Sequence, residues 1–144
     1  MNMFFDTSAI LKAFQKENGT ENVIELIEDP ENRIFISELT IIEFKSALYR
    51  RYRNKEINSE ELITLISDFK EYLESVEIEE VNSFTIKTAD NLMENFGKIG
   101  LRTLDALQFA SFVLLDNNNK NFICADTRLC GIIEKEGYKV ILIE

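Results

Sequence analysis

Four acidic side chains stand in contexts suited to chemistry: Asp6 in Phe5-Asp6-Thr7-Ser8-Ala9, Glu43 in Thr40-Ile41-Ile42-Glu43, Asp105 in Arg102-Thr103-Leu104-Asp105, and Asp126 in Ala125-Asp126-Thr127-Arg128. Carboxylates are hard oxygen ligands. A group of them suits Mg2+ or Mn2+, which sit on one or two carboxylates each and leave room for phosphate oxygens. Such an ion lowers the pKa of a bound water, orients it for in-line attack and neutralises the leaving oxygen. The chain has no histidine. That excludes Ser-His and Cys-His nucleophiles and leaves acid-base or metal chemistry to carboxylates, Lys, Tyr or Cys. Cys124 and Cys130 lie six apart in apolar sequence; with too few partners for zinc, they read as small buried hydrophobes.

Each acid also has a plain structural explanation. Asp is a preferred helix N-cap, and Asp or Glu in a first turn is favoured by the helix dipole. Asp6 and Asp126 then cap helices beginning at Thr7 and Thr127, Thr40-x-x-Glu43 forms a capping box, and Asp105 is a first-turn acid behind a Thr103 cap. Taken jointly, however, carboxylates converging in one crevice repel one another, and a bound cation resolves the repulsion.

The elements that position these acids follow from hydrophobic patterning. Five short runs rich in Ile, Val or Phe read as strands: Met3 to Phe5, Ile34 to Ser37, Val76 to Val81, Phe122 to Ala125 and Val140 to Ile143. The third mixes in acids and reads as an edge strand, while others lack polar alternation, as strands buried on both faces do. Helical patterns lie between them: Thr7 to Gln15, Glu21 to Glu28, Thr40 to Arg53, Ser59 to Ser75, Ser83 to Phe96, Thr103 to Leu115 and Thr127 to Glu136. The polar run Asp116 to Asn121 reads as a loop. Alternating strands and helices imply right-handed crossovers and a three-layer α/β/α sandwich around a mostly parallel sheet. In such sheets ligands bind beyond the carboxyl ends of the strands. Strand-then-helix order puts Asp6, Glu43 and Asp126 on that edge, whereas Asp105 follows a helix-helix connection.

Composition bounds the rest. At 144 residues, 45% hydrophobic with one Pro and five Gly, the chain reads as a single domain, 1–144, able to bury roughly 68% of its unfolded surface. No signal segment or ~18-residue apolar span is evident, so a soluble, cytoplasmic protein with no membrane association is expected. Sixteen Lys plus Arg against 26 Asp plus Glu give a net charge of -10, which repels polyanions unless a local basic patch or bound cations intervene. One patch exists in Tyr49-Arg50-Arg51-Tyr52-Arg53-Asn54-Lys55, where aromatics interleave with cations. It also reads as a solvated helix end, where cations suit the dipole.

Asp6-Thr7-Ser8-Ala9, Glu43 after the second strand, Leu101-Arg102-Thr103-Leu104-Asp105-Ala106-Leu107-Gln108-Phe109-Ala110 and Ala125-Asp126-Thr127-Arg128-Leu129 together resemble the PIN-domain nucleases, specifically the VapC-type toxins. The resemblance spans nearly the whole chain. It implies strand order 3-2-1-4-5, a Mg2+- or Mn2+-dependent endoribonuclease acting on an RNA substrate, a cognate antitoxin protein and a homodimer. It further implies that Asp6, Glu43, Asp105 and Asp126 form the catalytic and metal-binding quartet. Ser8, Thr127 and Arg128 are then candidate substrate contacts, and Arg50, Arg51, Arg53 and Lys55 candidate RNA or antitoxin contacts. Two positions depart from the family pattern: Cys124 stands where a hydroxyl residue is common, and Gln108 where histidine is common. Two other functions fit less well. An Asp-based phosphatase or receiver-like domain would use Asp6 as nucleophile, but position 8 is Ser rather than a second Asp, and no paired acids end the first strand. A non-catalytic PIN-like interaction module would use the acids only as caps and bind no divalent metal.

Overall fold

The computed structural model describes residues 1–116 and 118–144. Five strands, β1 (Asn2–Phe5), β2 (Arg33–Ser37), β3 (Glu77–Glu79), β4 (Lys120–Cys124) and β5 (Lys139–Leu142), form one sheet in the order β3-β2-β1-β4-β5. Every pairing is parallel. The helices among the described residues are α1 (Thr7–Ile10), α2 (Thr20–Glu28), α3 (Leu39–Arg53), α4 (Ser59–Tyr72), α5 (Ser83–Phe96), α6 (Thr103–Leu114) and α7 (Thr127–Lys135).

Successive strand side chains point to opposite faces, and here both faces are apolar. Met3, Phe5, Ile36 and Ile123 enter one core, which Phe44 and Leu48 of α3 and Leu62, Leu65 and Phe69 of α4 complete. Phe4, Phe35, Phe122 and Cys124 enter the other, against Ala89 and Leu92 of α5, Phe109 and Phe112 of α6, and Leu129, Ile132 and Ile133 of α7. Aromatic contacts tie each layer: Phe44 and Phe69 stack at 3.7 Å, and Phe112 meets Phe4, Phe122 and Tyr138 edge-on. Cys124 and Cys130 are buried as expected, but their sulfurs are paired with each other, with Cα atoms 6.5 Å apart.

Several boundaries differ from the sequence expectations. The first helical pattern splits into α1 and a 3-10 turn, Leu11–Ala13, and α4 ends at Tyr72. The edge strand shortens from Val76–Val81 to Glu77–Glu79, because the Val81 N–H leaves the ladder and donates to the Glu38 carboxylate. Of the expected loop Asp116–Asn121, Asn117 lies outside the described residues, while Lys120 and Asn121 belong to β4, paired with Asn2 and Met3.

Lys120 enters the sheet because its charge is satisfied within the fold. Its Nζ donates to the carbonyls of Phe112, Val113 and Leu115 at 2.8, 3.0 and 2.9 Å and lies 4.9 Å from the Phe112 ring centroid. A cation at a helix C-terminus satisfies carbonyls with no intrahelical partner and complements the dipole. This pins the end of α6 to the start of β4. A 12-residue helix is roughly 18 Å long, enough to return the start of α6 to the opposite, carboxyl edge of the sheet. Lys120→Met should therefore lower unfolding free energy by about 2–3 kcal/mol, measured as a reduced urea midpoint with unchanged slope.

Candidate active site

Asp6 follows the central strand directly, and its N–H continues the ladder by donating to the Ile123 carbonyl at 3.0 Å. Its backbone is extended, and its Oδ1 accepts from the Ala9 N–H at 3.0 Å, capping α1. The Ser8 hydroxyl donates to the same Oδ1 at 2.6 Å and accepts from the Ala125 N–H at 3.1 Å. Ser8 thus fastens the Asp6 carboxyl to the segment leading into Asp126. Asp126 caps α7, its Oδ1 accepting from the Arg128 and Leu129 N–H groups at 2.9 and 3.3 Å. The capping expectation holds for both aspartates.

It fails for Glu43 and Thr40. Helix α3 starts one residue earlier than expected, with Glu38 at its N-cap and the Leu39 N–H donating to the Ser37 hydroxyl at 3.1 Å. Thr40 is therefore inside the first turn and fully buried. Its Oγ1 meets Thr7 Oγ1 at 3.1 Å and Gln108 Nε2 at 3.0 Å. Glu43 Oε1 accepts from the Thr7 hydroxyl at 2.9 Å and the Gln108 amide at 2.7 Å. What reads as a cap within one helix is a cross-link joining α1, α3 and α6.

Asp105 occupies the third position of α6 and is half-buried; the N-cap is Arg102 rather than Thr103, and it makes no side-chain cap. Gly100, at φ 103°, turns the chain into this helix, a conformation that favours glycine. Arg128 reaches across from α7 to Asp105 Oδ2 at 3.9 Å, a partly exposed pair of modest strength.

The electrostatics reveal how near the acids are. Burial, opposed by the bonds from Ser8 and Ala9 and reinforced by the charges of Asp105 and Glu43, pushes the Asp6 carboxyl up to about 7. Burial and the charge of Asp126 also raise Asp105, against the pull of Arg128 and Arg102. The carboxylates act through their charges along a row, Glu43 and Asp105 on Asp6, and Asp126 on Asp105. Among the described residues no three of them are arranged to hold a metal ion as they stand. Their chemistry fits one: oxygen donors only, with a buried member whose ionisation like charges oppose.

Thr127 and Arg128 are exposed at the start of α7 beside the row. Arg50, Arg51 and Arg53 are not brought to it. They lie in the last turns of α3, roughly 10–15 Å beyond Glu43 along the helix axis; Arg51 bonds Gln15 and pairs with Glu17 at 3.8 Å. Sequence reading did not name Thr7, Thr40 or Arg102 as site components and marked Gln108 only as a departure from the family pattern. The signal for Gln108 is its spacing: Asp105, Gln108 and Ser111 recur every three residues on an otherwise apolar helix, which places them along one face.

The pH dependence follows from Asp6. Its folded pKa lies above the ordinary 3.8, at about 7, so the native state holds an extra proton between these values. That contribution is complete below about pH 4 and is lost as pH rises through about 7. In chelator, the melting temperature should fall from pH 5 to pH 8, and Asp6→Asn, which keeps an N-cap oxygen, should flatten that fall.

A family model described as PIN domain matches residues 3–129. Comparison with curated proteins gave no match. Among solved structures, VapBC2 from Rickettsia felis, bound to a DNA fragment from its promoter, superposes with a TM-score of 0.71 at 16% identity over 100% of both chains. VapC20 from Mycobacterium tuberculosis, a Sarcin-Ricin loop cleaving toxin, gives 0.70 at 16% identity over 94% of this chain and 95% of that one. VapBC-1 from nontypeable Haemophilus influenzae gives 0.65 at 18% identity over 99% and 98%.

Proposed function

The chain belongs to the PIN domain family, and from that premise and its row of carboxylates we propose a Mg2+- or Mn2+-dependent endoribonuclease, the VapC-type toxin of a toxin-antitoxin pair. The observation that carries this reading is the setting of Asp6, a buried carboxyl raised to about 7 chiefly by desolvation and further by the charges of Asp105 and Glu43. A pair of helix caps has no need of further acids acting on Asp6 and Asp105; a cation site does.

In this reading Asp6, Asp105 and Asp126 hold the metal and Glu43 completes the set. When bound, the metal supplies an activated water nucleophile and neutralises charge developing on the phosphate. The chain's own groups do the rest. Ser8 keeps the Asp6 carboxyl aimed by donating to it while anchored on Ala125. Arg128 and Arg102, whose charges act on Asp105, would meet a phosphate oxygen with a cation held at that carboxylate. Thr127, exposed at the start of α7, contacts the same strand of RNA. Arg50, Arg53 and Lys55 are exposed at the far end of α3, where they serve a more distant stretch of RNA or the antitoxin, with Arg51 partly engaged by Glu17.

Partners follow from the same family reading: a cognate antitoxin, and a second copy of the chain. Ile42, Tyr49 and Tyr52 of α3 and Ile63 of α4 expose large apolar surface, which supports an interface on that helix pair. No helix among the described residues is long and apolar enough to cross a membrane, and we place the protein in the cytoplasm.

A second reading, a non-catalytic interaction module, is favoured by the two caps that Asp6 and Asp126 do form. Metal titration separates the two. Chelator-stripped protein should bind Mn2+ saturably in a calorimeter, and Asp105→Asn should abolish binding while keeping the wild-type circular dichroism. RNA cleavage in Asp6→Asn or Asp105→Asn should drop beyond the ~10–100-fold that losing a supporting partner of a ligand costs. Full cleavage by either variant overturns the assignment, and absence of Mn2+ binding by wild type, with RNA present, favours the module.

A further inference from the structure

We infer that Gln108 is a positioning residue of the carboxylate site, holding one oxygen of Glu43 from α6 so that the other stays available at the site's edge. The inference rests on the divalent-metal reading above and deepens it by adding a residue that sits outside the acidic row.

Gln108 is 3% exposed. Its Nε2 lies 2.7 Å from Glu43 Oε1, 3.0 Å from Thr40 Oγ1 and 3.2 Å from Thr7 Oγ1. Thr7 also donates to Glu43 Oε1, so both side-chain donors to Glu43 converge on one oxygen. Among the described residues no protein group donates to Oε2. Thr7 adjoins Asp6, and Gln108 lies three residues past Asp105 on the same helix. The bond to Glu43 therefore sets the spacing between the three elements that carry Asp6, Glu43 and Asp105.

The orientation of the amide identifies what it is for. Gln108 Oε1 is buried with no partner among the described residues, a condition that costs stability. Turning the amide over would set that oxygen against Glu43 Oε1, oxygen against oxygen, and take from the carboxylate one of its two side-chain donors. The demand of Glu43 for a donor dictates the arrangement, and the amide's own oxygen goes unsatisfied. Ser111, one turn further on, differs: its hydroxyl is paired with Ser37 at 3.2 Å, a link between α6 and β2 away from the carboxylates.

The test compares Gln108→Met, which keeps chain length and removes both donor hydrogens, with Gln108→His, which retains a ring N–H donor, and with Ser111→Ala. Mn2+ affinity is read by calorimetry and by electron paramagnetic resonance of the bound ion, and melting is read separately in chelator. Gln108→Met should weaken Mn2+ by ~10–100-fold at temperatures where it remains folded, Gln108→His should recover most of that loss, and Ser111→Ala should leave Mn2+ affinity unchanged. Wild-type affinity in folded Gln108→Met overturns the positioning role while leaving the metal reading intact. If Gln108→Met does not fold, Thr7→Val, which removes the second donor to the same oxygen, decides: unchanged affinity overturns the role and weakened affinity supports it. Wild-type protein that binds no Mn2+ overturns both.

Discussion

The carboxyl of Asp6 is buried at the end of the central strand, where it must be at once a helix cap, a hydrogen-bond acceptor and the neighbour of two other acids. Desolvation and like charge both oppose its ionisation, while the Ser8 hydroxyl and the Ala9 N–H favour it. The rest of the edge is arranged around that tension. Because all strands run parallel, their carboxyl ends share one side of the sheet, and α1, α3 and α7 begin there. Helix N-termini present free N–H groups and partial positive charge, which lets acids gather more cheaply than on a neutral surface. Asp6 and Asp126 exploit this directly through their caps.

Helix α6 delivers the remaining acid by a different route. It follows another helix rather than a strand, so nothing in the strand-helix rhythm sets its height. Its position is determined at both ends by polar contacts in an otherwise apolar layer. Lys120 holds the last carbonyls at the amino edge of the sheet, and Gln108 ties the first turns to Thr7, Thr40 and Glu43. Between them Phe109 and Phe112 fill the core. Asp105 arrives beside Asp6 and Asp126 because the helix is a strut of fixed length with both ends fastened.

Charge is distributed to the same end. A chain of net charge -10 meets a polyanion only where positive charge is concentrated. Arg102 and Arg128 supply it next to Asp105, and Arg50 and Arg53 in the last turn of α3, with Lys55 just after it, form a separate patch. Glu43 and the basic patch lie toward opposite ends of one helix.

Strand runs, helix periods and the parallel three-layer class were legible in the sequence because they depend on local patterning: apolar pairs such as Phe4-Phe5 and Phe35-Ile36 must alternate between two cores. Asp6 and Asp126 were legible as caps for the same local reason, and the acids as a group because their residue types and order carry the family resemblance. The polar network was not. Thr40 and Glu43 have the spacing of a capping box, and only the packing of α1 and α6 against α3 turns both side chains away from their own backbone. Lys120 reads as loop because a lysine within a buried strand makes sense only once the end of α6 lies above it. Sequence by itself determined which residues are apolar, which are acidic and the order and kind of the elements. Tertiary structure decided which acids share a field and which neutral side chains hold them, because those contacts join residues as far apart as Thr7 and Gln108, whose proximity depends on how helices are fastened across the sheet.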